Sequence, residues 1–396
     1  MDAPDPTLRP LPDAEVVVDL DAVRHNVRRL RELVWGPPTD AGSGSSTGAG
    51  QVMVVVKADG YGHGMVPVAR AARQAGAEWI GAATPAEALA LREAGDTGRV
   101  LCWLAAPGHD FAPLVAADVD VTAYSTTQLE EVVRGARAAG RPARLQLKLD
   151  TGLSRGGAAR DDWLPLITAA RHAQDDGDVV VTGVWSHLAC ADEPGHPANA
   201  AQVAAFAEGL ALVADAGLEP EVRHLANSAG ALWLEDARHD LVRLGIAAYG
   251  LSPEPGVATS DELGLVPAMT VRGRLVMVKQ LAEGDGVSYG HTWTAPAPTR
   301  VGLVPMGYGD GVPRHASSRA ELLVTGVRRP VLGRVCMDQL VVEAPDAEAG
   351  DEVLLLGPGS SGEPTAADWA RWSDTIGYEV VTRMGGRQVR SWVGER

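Results

Sequence analysis

The chain has 396 residues, 45% of them apolar, more than one ordinary core needs, so one large domain and a smaller second one are expected. Its formal charge of −16 is spread along the chain, and such an acidic protein repels nucleic acid and anionic membrane, so neither is an expected partner. Three scattered cysteines, Cys102, Cys190 and Cys336, spell no disulfide framework or zinc motif; with no run apolar enough to span a bilayer and no secretory leader at Met1-Asp2-Ala3-Pro4, a cytoplasmic setting is expected.

In chain order, Asp19 stands where a helix cap belongs, before Leu20, Val23, Val27, Leu30 and Val34 at helical spacing. That helix stops at Gly36-Pro37-Pro38. The Gly- and Ser-rich stretch beyond predicts a flexible surface insertion at about 36–51. Eight short β-branched or apolar runs follow: Val52–Val56, Trp79–Ala82, Val100–Leu104, Val119–Ala123, Leu145–Leu149, Val179–Trp185, Glu221–Leu225 and Leu241–Leu244. Between them lie helical stretches such as Pro85–Ala94, with Thr84 as N-cap, Pro85 at the first helical position and Gly95 beyond the end. Strand and helix alternating eight times predict a (β/α)8 barrel over 1–263. A doubly wound open sheet is the alternative, weakened because no GxGxxG follows any strand. From 264 to 396 the texture changes to a mostly β domain. Strands are expected at Val271–Leu281, Val301–Pro305, Glu321–Val324, Val335–Val342 and Asp351–Leu356, with one short helix around Ala366–Ser373.

A barrel of this kind builds its active site at the C-terminal ends of its strands. Those ends carry Lys57, then Lys148, Asp150 and Arg155, then His187, then Asn227 and Ser228, and finally Arg243, Gly245 and Ile246. A lysine ending an apolar run is usually a strand end whose amine reaches solvent. Burial would instead lower its pKa and make it a nucleophile. Asn227-Ser228-Ala229-Gly230 opening a helix, beside Gly245-Ile246, suits a phosphate, although Ser228 could equally be a plain cap. Lysine and phosphate cradle together fit pyridoxal phosphate, and also several sugar phosphates.

The segment Val54-Val55-Val56-Lys57-Ala58-Asp59-Gly60-Tyr61-Gly62-His63-Gly64 resembles the cofactor-lysine signature of alanine racemases. The resemblance covers nearly the whole chain. It continues through Leu149–Arg155, Trp185–Ala189, Asn227–Gly230, Arg243–Gly250, Val287–Gly290, Gly307–Gly311 and Gly333–Gln339. It implies pyridoxal 5'-phosphate as cofactor, with Lys57 as Schiff-base lysine and one catalytic base. Tyr289, reaching in from a second subunit of a homodimer, would be the other base. Arg243 would face the pyridine nitrogen, supported by His224, and His187 would lie against the ring. Tyr61, Ser228, Gly245, Ile246 and Tyr378 would hold the phosphate. Arg155 and Met337 would meet the substrate carboxylate, Tyr308 would narrow the entrance, and Lys148 would be a candidate for carbamylation, positioning Arg155. The chain departs from the family pattern at Leu244, where proline is frequent, and in its tail at Met384-Gly385-Gly386-Arg387.

The implied activity is the interconversion of L- and D-alanine, supplying D-alanine for cell-wall peptidoglycan. One base on each face of the substrate is the minimum for it. Broader-specificity or serine racemisation, amino-acid decarboxylation on a similar scaffold, and non-catalytic binding of pyridoxal phosphate are the alternatives. No metal is expected.

Overall fold

The computed structural model describes residues 12–37 and 50–395. They fall into two compact units, Ala22–Val266 and a second formed by Pro267–Arg396 with the described part of Met1–Asp21.

The first unit is the expected barrel. Its eight strands are Gln51–Val55, Trp79–Ala82, Arg99–Cys102, Asp120–Ala123, Ala143–Lys148, Val179–Trp185, Val222–His224 and Leu241–Leu244. The first seven pair in parallel in sequence order, and the eighth returns to pair in parallel with the first, Val52 opposite Val242. No regular ladder joins the seventh strand to the eighth. Two hydrogen bonds close that gap: Asp240 N–H to the Arg223 carbonyl and Arg243 N–H to the Ala226 carbonyl, both 3.1 Å. The strands are almost wholly buried, with Met53, Ile80, Leu101 and Leu145 among their core side chains.

Local chemistry sets the element ends. Asp19 Oδ1 accepts from Asp21 N–H at the start of the helix Leu20–Trp35, whose expected apolar face is buried throughout. Thr84 and Glu87 form a reciprocal capping box on the helix Pro85–Glu93. The expected insertion needs a correction at its far end: Gln51 already opens the first barrel strand, and its side chain accepts from Trp79 Nε1 at 2.6 Å. Residues 38–49 of that insertion lie outside the described residues.

In the second unit, a six-stranded sheet holds Ala14–Asp19 between Met269–Arg274 and Val389–Val393, and a three-stranded sheet joins Met277–Leu281, Thr299–Val304 and Leu340–Glu343. The expected division of the chain is corrected twice. The boundary falls at 266/267 rather than 263/264, and the strand Ala14–Asp19 belongs with the β unit, because its partners lie there. The expected strand Val271–Leu281 is two strands. Leu275 N–H bonds the Asp351 carbonyl and Val276 N–H bonds the Leu303 carbonyl, so the chain changes sheets between those residues. Of Val335–Val342 only the end is strand, since Cys336 N–H turns back to the Gln339 carbonyl. A second helix, Gly377–Arg383, follows Ala366–Ser373.

Candidate active site

Lys57 follows the first barrel strand and introduces an unusual turn. Ala58, Asp59, Gly60 and Tyr61 all have positive φ, between 51° and 63°. Each non-glycine residue in that conformation costs about 1–2 kcal/mol, so the turn persists only because its surroundings fix it. Gly60 N–H bonds the Val56 carbonyl, Met65 N–H bonds Asp59 Oδ1, and Ala58 N–H bonds Glu87 Oε1, each at 2.8 Å. His63 Nδ1 donates to the carbonyls of Gly60 and Tyr61. Tyr249, fully buried, donates to the Val55 carbonyl at 2.9 Å and packs against the rings of Tyr61 and His63.

The turn brings Tyr61 to the loops after strands seven and eight. A Cβ on Gly245 would stand 2.6 Å from Tyr61 Oη, so no larger residue fits without moving that hydroxyl. Gly245 N–H donates to Ser228 Oγ at 2.9 Å. Ser228 is therefore not the helix cap that the sequence also allowed. Asn227 caps Ser228–Trp233, its Oδ1 accepting from Gly230 N–H, which leaves the serine hydroxyl for Gly245. Ile246 is buried at the start of the next short helix.

Arg243 is buried and anchored by five hydrogen bonds. It donates to the carbonyls of Ser186, His224 and Leu225, to His224 Nδ1 at 2.9 Å and to His187 Nδ1 at 3.2 Å. His224 in turn donates from Nε2 to Gln146 Oε1 at 2.7 Å, and Gln146 Nε2 reaches the buried carboxylate of Asp120. This chain fixes the His224 tautomer, because a nitrogen that accepts from arginine cannot itself carry the proton. Trp185 is the common wall: it stacks on His224 with 5.5 Å between ring centroids, with Lys148 Nζ 4.4 Å and the Arg243 guanidinium 5.0 Å from its ring.

Cations dominate the electrostatics. Burial, then the neighbouring Arg155, lowers the Lys57 pKa; Glu87 opposes this and Arg243 adds to it. Burial together with Arg243 and Arg155 brings the Lys148 amine down to about 8. Burial and Arg243 hold His187 and His224 well below the ordinary histidine value, so both are neutral near pH 7. Arg243 is pulled down to about 9 by burial alone and keeps its charge.

The expected residues Lys57, Tyr61, Lys148, Arg155, His187, His224, Ser228, Arg243, Gly245 and Ile246 thus all lie in the barrel unit. Tyr289, Tyr308, Met337 and Tyr378 lie in the β unit. There Tyr308 N–H bonds the Cys336 carbonyl and Gly309 N–H bonds the Met337 carbonyl, setting Tyr308 beside Met337. Tyr289 is 72% exposed, carried by a sharp turn in which Ser288 has φ +61°. Tyr378 is half-buried in the first turn of its helix. Sequence reasoning missed Glu87, Gln146, Trp185 and Tyr249 as site residues. Glu87 carried a legible helix-start signal, while the other three read as strand or core positions. Among the described residues, no three His, Cys, Asp or Glu side chains gather as metal ligands, and no helix is long and apolar enough to cross a membrane.

Fold and site together define a (β/α)8 barrel that gathers Lys57, Lys148, Arg155 and Arg243 at its strand ends. Residues 18–253 match the family model for the alanine racemase N-terminal domain, and residues 268–392 match that for the C-terminal domain. The chain belongs to the alanine racemase family. It is 53% identical over 386 residues to an alanine racemase of Salinispora arenicola, covering 97% of this chain and 99% of the relative. An alanine racemase of Streptomyces coelicolor is 52% identical, covering 96% of each. The solved alanine racemase of Streptomyces lavendulae superposes with a TM-score of 0.93 at 49% identity, covering 98% of this chain and 99% of that one. That of Bacillus anthracis, solved with bound L-Ala-P, gives 0.86 at 31% identity, with 98% and 96% covered.

Proposed function

We propose that the protein interconverts L-alanine and D-alanine with pyridoxal 5'-phosphate as cofactor and Lys57 and Tyr289 as the two bases. The observation that carries this is the cluster of Lys57, Lys148, Arg155 and Arg243, close enough for the charges to depress the pKa of Lys57, Lys148 and His187. Such a cluster suits a doubly charged phosphate and a substrate carboxylate. The close approach of Tyr61, Ser228 and Gly245 fits the phosphate; the family resemblance adds Ile246 and Tyr378 as further phosphate ligands.

Bound there, the cofactor would take up the electrons left when the substrate's Cα–H bond breaks. Lys57, its pKa lowered by burial, is a better proton acceptor at neutral pH than an ordinary lysine. Arg243 presents N–H donors where a carboxylate would favour protonation of the pyridine, and this would suppress transamination in favour of returning a proton. His187 and His224 stay neutral and add no charge. Arg155 would bind the substrate carboxylate with Met337 beside it, and Tyr308 would narrow the entrance. A carbamate on Lys148, whose amine at about 8 is reactive enough to form one, would place an anion beside Arg155. We further propose a cytoplasmic homodimer that supplies D-alanine for peptidoglycan, each subunit lending Tyr289 to its partner's site.

The test is a panel of L-amino acids given to the purified protein with pyridoxal phosphate, scoring the D-isomer beside carbon dioxide release. D-alanine formed well ahead of D-serine, without carbon dioxide, is expected. Carbon dioxide as the main product, or binding of the cofactor with no turnover, would contradict the proposal.

A further inference from the structure

The capping box at Thr84 is more than a helix start. In an ordinary box the Glu side chain turns back only to its own cap. Here Glu87 Oε2 does so, accepting from the Ala83 and Thr84 N–H groups at 2.9 and 3.0 Å. Its other oxygen, Oε1, accepts from Ala58 N–H at 2.8 Å, a residue 29 positions earlier in the chain. Ala58 directly follows Lys57 and opens the run of four positive-φ residues. One carboxylate therefore joins the start of the helix after the second strand to the strained turn after the first.

Resting on the function proposed above, we infer that Glu87 is the positioning residue of Lys57: its carboxylate pins the left-handed turn that aims the lysine and supplies the anion that balances the surrounding cations. Three N–H donors converge on it, so an amide in its place would turn an NH2 group toward at least one of them and lose that bond. Loss of the charge also has a defined sign. Glu87 favours the ammonium form of Lys57, against Arg155 and Arg243. Without it the neutral amine is populated at lower pH.

The experiment uses the full chain freed of bound cofactor with hydroxylamine. Acetylation of Lys57 is followed against pH by peptide mass spectrometry, and pyridoxal phosphate affinity by absorbance titration. For Glu87→Gln the Lys57 labelling profile moves to lower pH, and the cofactor binds about ten-fold more weakly, a loss equal to one hydrogen bond to a charged group. Thr84→Ala weakens the same helix cap but keeps the carboxylate, and it should move neither readout. An unmoved profile and affinity in Glu87→Gln, or a Thr84→Ala variant that reproduces both changes, overturns the inference. Should Glu87→Gln not fold, Glu87→Asp carries the test. It keeps the charge but is one methylene too short to span both partners, so affinity falls while the labelling profile holds; unchanged affinity is then the contrary result. Borohydride reduction of the wild-type holoenzyme, mapped by peptide, separates the two levels. A tag on a lysine other than Lys57 defeats the cofactor assignment, whereas the labelling profiles still report whether Glu87 governs Lys57.

Discussion

Arg243 concentrates the chemistry at the scale of single residues. Its five hydrogen bonds leave no rotational freedom, and Gln146 behind His224 decides which imidazole nitrogen faces it. Replacing Arg243 with Glu would put a carboxylate where protonation of a bound pyridine is favoured. The expected outcome is slower racemisation with a higher ratio of pyruvate formed to alanine racemised, read by coupled assay. A ratio that stays flat would contradict the electronic role of Arg243, whatever happens to total activity. Arg243 was legible because a strand-end motif carries it, whereas His224 was named only through the family resemblance. Gln146 was not, since its position depends on the parallel register that sets it against Gly183, where a Cβ would lie 2.7 Å from the glutamine side chain. Nothing local in Leu145-Gln146-Leu147 marks an inward-facing amide.

Among the elements, the loops after strands one, seven and eight meet where Tyr61 approaches Gly245. Gly245→Ala would place its methyl carbon 2.6 Å from the Tyr61 hydroxyl and force the ring away. Pyridoxal phosphate affinity should then fall about ten-fold by absorbance titration, the equivalent of one lost hydrogen bond to a charged group. Circular dichroism should show the fold unchanged. Full affinity would mean that Tyr61 and Gly245 do not form the cradle. The barrel elements were legible because their strands are short β-branched runs and their helices carry explicit caps at Asp19 and Thr84. The β unit was less so. No turn residue separates Leu275 from Val276, and only their hydrogen-bond partners, Asp351 and Leu303, reveal that the run belongs to two sheets. The left-handed turn after Lys57 was equally hidden, because Ala58 and Tyr61 are not residues that announce positive φ.

On the scale of the whole molecule, the chain begins in one unit, builds the barrel, and returns. Ala14–Asp19 pairs with Met269–Arg274 and with Val389–Val393, the second of them about as far away in sequence as the chain allows. Such long-range pairing leaves no local trace beyond a β-branched run, which is why the N-terminal segment was assigned to the barrel. The proposed division of labour gives the barrel the cofactor lysine and the β unit the second base, Tyr289, which stands 72% exposed. A shared site requires a two-fold dimer in which each Tyr289 serves its partner. Two inactive variants test this, Lys57→Ala and Tyr289→Phe, mixed after subunit exchange has been shown by tag pull-down. A mixed dimer carries both lesions in one site and neither in the other. With random exchange half the dimers are mixed, so racemisation of L-alanine should return to roughly a quarter of the wild-type rate. Proven exchange with no recovered D-alanine would contradict the shared two-base site, since a Tyr289 serving its own subunit leaves a lesion in every site.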